Sequence, residues 1–276
     1  MACIRMRFPG GKYKAFTMSY DDGSIHDVRL IAEMEKNGVK GTFNLNSARL
    51  LDTKDTKCLS ASDAEVYKNQ EVAVHGFKHL SLVGHDTGLI VNDVMTDRKE
   101  LERIFGRVIK GMAYAYGTYD DTTIAALKAC GIVYARTVGN VADFSLPKNW
   151  LTWAATCHHK NEKLNEYADK FLEAKDEGDA HMRFPMLFYV WGHSYEFDRA
   201  NNWDLIENFL AKIGGRSDVW YATNGEIYAY VEAFKRLEFS AEGEYVYNPS
   251  AQDIYFLANG KLFVAKAGET TRIQIG

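Results

Sequence analysis

Short apolar runs alternate with amphipathic stretches through residues 1–237 of this chain. The runs at 15–20, 41–45, 71–74, 111–116, 133–137, 186–191 and 219–222 predict strands. Between the first two, residues 28–37 set Leu30, Ile31 and Met34 on one helical face and stop at Gly38. Ser62 and Glu65 have capping-box spacing and are expected to open a short helix. Asn92 is placed to cap a helix running to Phe105, and Asp120 or Asp121 to start one that ends at Cys130-Gly131. Residues 165–174, 205–213 and 227–237 read as helices, whereas 139–159 is irregular apart from a short strand at 151–155. Strand alternating with helix predicts an α/β fold with parallel strands.

Beyond Leu237 the period changes to two: Tyr245 and Tyr247, Ile254 and Phe256, Leu262 and Val264, Ile273 and Ile275. Asn259-Gly260 between two such runs is the signal of a type I′ hairpin. The expected organisation is a barrel-like catalytic domain over 1–237 and a small β appendage over 238–276 packed on it.

Polar residues that interrupt the strands fall at their C-terminal ends. Asp21, Asp22, Asn44, His75, Tyr116, Arg136, His193 and Asn224 would all ring one barrel mouth, the face where β/α barrels carry their chemistry. Two groups there have metal-site character. Ser19-Tyr20-Asp21-Asp22-Gly23 ends the first strand, and His75-Gly76-Phe77-Lys78-His79 follows the third. Residues at i and i+4 share a face of a helical turn, so both imidazoles could reach one ion. Adjacent strand side chains point apart, but a turn at Gly23 can bring both aspartates to the mouth. One carboxylate and two imidazoles form the ligand set of a catalytic zinc-type site, with a spare carboxylate left to face a water. Zinc is the expected ion; cobalt or nickel would suit the same donors.

Bulk properties agree with an enzyme. The 276 residues lie near the ~250 of a closed β/α barrel. Lysine and arginine number 33 against 37 acids, a net −4, and no basic block marks the chain for nucleic acid or an anionic membrane. Four dispersed cysteines form no Cys-x-x-Cys pair, and no apolar run approaches the ~20 residues of a membrane span. A cytoplasmic protein is expected, or a secreted one trimmed of its signal peptide. Oligomeric state is not legible. Cys157-His158-His159 looks like a second metal cluster, but contiguous residues on an extended chain cannot all face one ion. His26, His85 and His181 read as ordinary polar positions. Gly10-Gly11 lacks a following phosphate-loop pattern.

Ser19–Gly23, His75–His79, Tyr114–Gly117 and His193 together resemble the first, second, third and fifth motifs of the NodB-type polysaccharide deacetylases, carbohydrate esterase family 4. The resemblance runs in motif order over about residues 15–237. It implies a distorted (β/α) barrel of fewer than eight units, about seven strands, with a divalent metal at its mouth. It implies Asp21 as general base, Asp22, His75 and His79 as metal ligands, and His193 as general acid. The backbone N–H of Tyr116 would help hold the oxyanion. The implied substrate is an N- or O-acetylated carbohydrate.

Two motifs depart from the family. In the third, Ala113 and Ala115 stand where relatives carry arginine and proline. The arginine normally pairs with the base, and Arg136 on the next strand is the expected substitute. The fourth has no clean match; Asp143, Trp150 and Trp153 lie in its interval. Trp191, Tyr195 and Glu196 could line the cleft. Competing readings are an amidohydrolase of a small amide or cyclic imide, and a catalytically weak carbohydrate-binding protein that kept the metal and lost the arginine.

Overall fold

A computed structural model describes residues 3–179 and 183–273. His181 and Ile275 lie outside the described residues. The chain opens with β1 (Ile4–Arg7), followed by β2 (Lys14–Asp21), α1 (Asp27–Lys36), β3 (Gly41–Leu45), α2 (Ser47–Leu51) and β4 (Glu71–Val74). Then come α3 (Thr87–Phe105), β5 (Gly111–Ala113), α4 (Asp121–Ala129), β6 (Tyr134–Asn140), β7 (Trp153–Ala155), β8 (Cys157–His158) and α5 (Leu164–Glu173). The barrel ends with β9 (Met186–Gly192), α6 (Tyr195–Arg199), α7 (Trp203–Ile213), β10 (Val219–Tyr221) and α8 (Asn224–Lys235).

The main sheet runs β7-β6-β5-β4-β3-β2-β9-β8, with β10 added on β2, and every pairing in it is parallel. Only Thr156 separates β7 from β8. One bent strand therefore joins the two edges of the sheet and closes a distorted (β/α) barrel. Thr156 N–H donates to the Tyr189 carbonyl at 2.9 Å, and Tyr189 N–H to Thr156 Oγ1 at 3.1 Å, which pins that seam.

The two-residue period of β2 decides what faces inward. Phe16, Met18 and Tyr20 point out and pack with Leu30, Ile31, Met34, Phe209 and Leu210 of the surrounding helices. Each fully buried side chain of this kind contributes about 1.5–3 kcal/mol. Thr17, Ser19 and Asp21 therefore face the barrel interior, where Thr17 donates to Asn224 and Ser19 accepts from Asn44. The polar interior of the upper barrel follows from this register.

Asn224 is not at the mouth, contrary to the expectation from strand ends. β10 pairs only with Lys14, Ala15 and Phe16, so its C-terminal end stops low on β2. Asn224 is buried there, bonded to Thr17, Thr42 and Tyr189. That level is about 13 Å below Asp21 at 3.3 Å per residue. Several caps also shift. Ser60 and Asp63, not Ser62 and Glu65, form the capping box of the 3-10 turn Ala61–Tyr67. Asp86 rather than Asn92 caps α3, accepting the Leu89 N–H at 3.0 Å. Asp120 caps α4.

Five further strands follow: β11 (Glu238–Phe239), β12 (Tyr245–Tyr247), β13 (Ile254–Ala258), β14 (Lys261–Ala265) and β15 (Thr270–Arg272). Asn259 and Gly260 take φ of 50° and 82° between β13 and β14, as a type I′ turn requires. β1, which the sequence pattern did not reveal, pairs antiparallel with β13. Ile254, Phe256, Val246 and Ile273 share one apolar cluster with Met6, Phe8 and Tyr230 beneath the barrel. No helix among the described residues is long and apolar enough to cross a membrane.

Candidate active site

Asp21 closes β2 on the inner face of the barrel. Its Oδ1 accepts from Asn44 Nδ2 at 2.8 Å, and its Oδ2 is paired with the guanidinium of Arg136. Arg136 lies on β6 directly opposite Ala113 of β5. Paired residues on neighbouring strands share a face, so the arginine enters the barrel beside the alanine that stands in the third motif. It is buried, with its guanidinium 4.4 Å from the Trp191 ring centroid. Burial pushes the Asp21 carboxyl up, but the Arg136, His75 and His193 charges and the Arg136 hydrogen bond outweigh it, holding the group down to about 2. Asp21 is ionised at neutral pH.

Asp22 turns the other way along the backbone and still reaches the same mouth. Its φ of 77° and the 65° of Gly23 swing the chain off the strand, while its N–H stays bonded to the Asn44 carbonyl at 3.0 Å. Asp22 Oδ1 lies 3.7 Å from His75 Nε2 and 3.6 Å from His79 Nε2. Donor atoms of a tetrahedral site with bonds of about 2.1 Å stand about 3.4 Å apart. The three are therefore spaced to hold one ion, as their mutual separations within 4.8 Å also indicate. His75 Nδ1 lies 2.9 Å from the Ala113 carbonyl. A proton on Nδ1 satisfies that acceptor and leaves the Nε2 lone pair facing Asp22, the tautomer a metal ligand needs. The residues present fit a divalent metal.

The two histidines do not meet through a helical turn, as expected from their spacing. Residues 75–79 form an irregular loop with Gly76 at φ 84° and His79 at φ 53°. Two carboxylates of α3, one turn apart, hold this loop. Asp97 accepts the His75 N–H at 3.1 Å and both donors of Ser47; Asp93 accepts the Phe77 and Lys78 N–H groups at 3.1 Å each. Gly76 is required here, since an added Cβ would stand 2.9 Å from Asp93 Oδ2. Asp22, His79 and Tyr116 are three of the six non-glycine residues with positive φ among those described. Such strain gathers where side chains must converge.

Tyr116 stands at the rim, 64% exposed, with its ring 4.7 Å and edge-on to that of His79. His193, just past β9, completes the ring of groups. Its Nε2 lies 3.9 Å from Asp21 Oδ2 and 4.0 Å from Asp22 Oδ2. A cavity of about 530 Å³ opens beside Asp22, lined also by His26, Arg49, Lys57, Tyr195 and Arg199.

The interval of the fourth motif supplies nothing to this mouth. Asp143 bonds Ser145 in a loop, Trp150 donates to Glu232, and Trp153 is buried against Tyr134 and Tyr189. Trp191 is packed on Arg136 and His158 and does not line the cavity, whereas Tyr195 does. Cys157 is buried in the core, as its strand position requires. His158 and His159, however, do come together, both 3.1 Å from Glu196 Oε2. Sequence spacing missed this because the chain turns at His159, beyond the end of β8.

Residues 9–135 match the polysaccharide deacetylase family model. No curated protein matches this chain. Among solved structures, a candidate polysaccharide deacetylase from Mycobacterium smegmatis is similar with a TM-score of 0.59 at 18% identity, over 84% of this chain and 94% of that one. A carbohydrate esterase family 4 pseudoenzyme from Bacillus anthracis gives 0.50 at 14% identity, over 81% and 68%. A Streptococcus pyogenes deacetylase in complex with acetate gives 0.46 at 18% identity over 49% of this chain, which spans 61% of that protein. Over residues 9–135 this chain is similar to the polysaccharide deacetylases, and its closed parallel sheet has the same fold as the Mycobacterium smegmatis structure.

Proposed function

We propose that this protein is a metal-dependent hydrolase that removes acetyl groups from N- or O-acetylated carbohydrate. The observation that carries this reading is the meeting of Asp22, His75 and His79 beside a buried, ionised Asp21. Those three residues would hold the ion, zinc by preference and cobalt or nickel as alternatives. A divalent ion there supplies Lewis acidity to an acetyl carbonyl and to a water.

The chain's own residues perform the proton transfers. Asp21, held by Arg136 and Asn44, accepts the proton of the attacking water. Arg136 takes the place of the absent third-motif arginine. The backbone N–H of Tyr116 donates to the developing oxyanion from the rim beside His79. His193 gives its proton to the departing amine or alcohol. Burial works against its charged form, but Glu196, Asp21 and Asp22 outweigh burial and raise its proton affinity.

A second reading, hydrolysis of a small amide or cyclic imide, draws on the cavity of about 530 Å³ beside Asp22, a volume in the small-ligand range. One experiment separates the two: acetate release from a panel of acetylated mono- and oligosaccharides, and ring opening of cyclic imides, with zinc-loaded and chelator-stripped protein. Zinc-dependent acetate release is expected. Zinc-dependent imide opening without acetate release supports the second reading, and inactivity on both contradicts each.

A further inference from the structure

One turn past His193, Glu196 on α6 folds its carboxylate back toward the imidazole. Glu196 Oε2 lies 3.6 Å from His193 Nδ1 and 3.1 Å from both His158 Nε2 and His159 Nε2, and Oε1 accepts from Lys160 Nζ at 2.8 Å. The three residues 158–160 arrive from β8, the half-strand that closes the barrel beside β9. Four nitrogens thus converge on one carboxylate.

By composition, His158, His159 and Glu196 could instead be a second metal site. Tautomers argue against it. His158 Nδ1 accepts the Lys160 backbone N–H at 3.1 Å, so the proton of neutral His158 sits on Nε2, the atom facing Glu196. A metal ligand would have to present a lone pair at that atom. Neither ring nitrogen of His159 makes a full hydrogen bond, but Nδ1 is buried against Gly192, where an added Cβ would come within 2.0 Å of it, whereas Nε2 has Glu196 Oε2 at 3.1 Å. A proton on Nδ1 would be an orphaned donor, so His159 also carries its proton on Nε2. The ammonium of Lys160 on the same carboxylate further opposes a cation.

We propose that Glu196 is the positioning residue for His193: cradled by His158, His159 and Lys160, its carboxylate accepts the His193 Nδ1–H and directs Nε2 toward Asp21 and Asp22. This inference rests on the reading of His193 as proton donor. The geometry is crowded, and Glu196 Oε2 and His193 Nδ1 make no hydrogen bond of full geometry in the free protein. Such contacts are commonly long before substrate closes the site. Burial pushes the Glu196 carboxyl up, but the nearby imidazoles of His158, His159 and His193 and the hydrogen bond from Lys160 hold it well below the usual range, so it is an acceptor throughout.

Glu196→Gln tests this, since an amide must turn NH₂ toward either Lys160 or the imidazole donors. On an N-acetyl sugar, kcat is expected to fall about tenfold to a hundredfold with KM nearly unchanged. On 4-nitrophenyl acetate, whose leaving group departs without a proton, the loss is expected to stay under about threefold. Equal losses on both substrates would mark a merely structural residue and overturn the proposal. Imidazole ¹⁵N shifts of the zinc-loaded protein give a readout that needs no turnover. They should place the His193 proton on Nδ1 in the native protein and on a mixture of both nitrogens in the variant. An unchanged tautomer, or loss of a second equivalent of bound zinc in the variant, would also overturn it. If the native protein releases no acetate at all, the deacetylase reading fails while the shifts still decide the role of Glu196.

Discussion

Replacing Arg136 by alanine should lower kcat about a hundredfold or more while leaving bound metal intact. In the proposed mechanism Asp21 is the general base, a role worth on the order of 10²–10⁴ in rate, and it keeps its charge and orientation largely through Arg136. Removal leaves a carboxylate in the barrel interior with only the Asn44 amide as a strong neighbouring donor. Breaking one side of a buried pair costs about 3–5 kcal/mol, so denaturant midpoints should fall as well. Arg136→Lys restores the charge without the planar fork and is expected to recover stability more than rate. None of the metal-facing atoms touches Arg136, hence the intact metal content. Steady-state kinetics paired with elemental analysis checks this, and an unchanged rate would remove Arg136 from the site.

The second large effect is on metal affinity. His79 is the better ligand to remove because it is 28% exposed, against 2% for His75, so truncation leaves little cavity. Structural zinc sites are worth about 10–16 kcal/mol over four ligands, or about 2.5–4 kcal/mol each, a factor of about 70 to 900 in affinity. His79→Ala is therefore expected to weaken zinc binding about a hundredfold to nearly a thousandfold in a competition titration. Thermal stability of the metal-free protein should barely move. Native affinity in the variant would exclude His79 from the ligand set.

Much of this site was legible because its residues abut strands. Asp21 ends an apolar run whose alternation fixes its inward face, and His75 follows one directly. Arg136 was named from its position on the strand after the third motif, and its pairing with Ala113 explains how a residue 23 positions away comes to face Asp21. Loop geometry was not. Sequence spacing suggested a helical turn for His75 and His79, whereas their approach depends on positive φ and on Asp93 and Asp97 from a distant helix. Asn224 was misplaced because strand ends were assumed level, and β10 stops short. β1 went unseen since its partner, β13, is some 250 residues away. Glu196 was noticed only as a possible cleft residue, because its neighbours His158 and His159 reach it across the closing seam.

The central claim is that Asp22, His75 and His79 bind a common divalent cation. Anomalous diffraction at the zinc edge, from crystals of the zinc-loaded protein, tests it most directly. A single strong peak bonded to those three side chains is predicted. A peak at His158, His159 and Glu196 instead, or no peak within bonding distance of Asp22, would contradict the account.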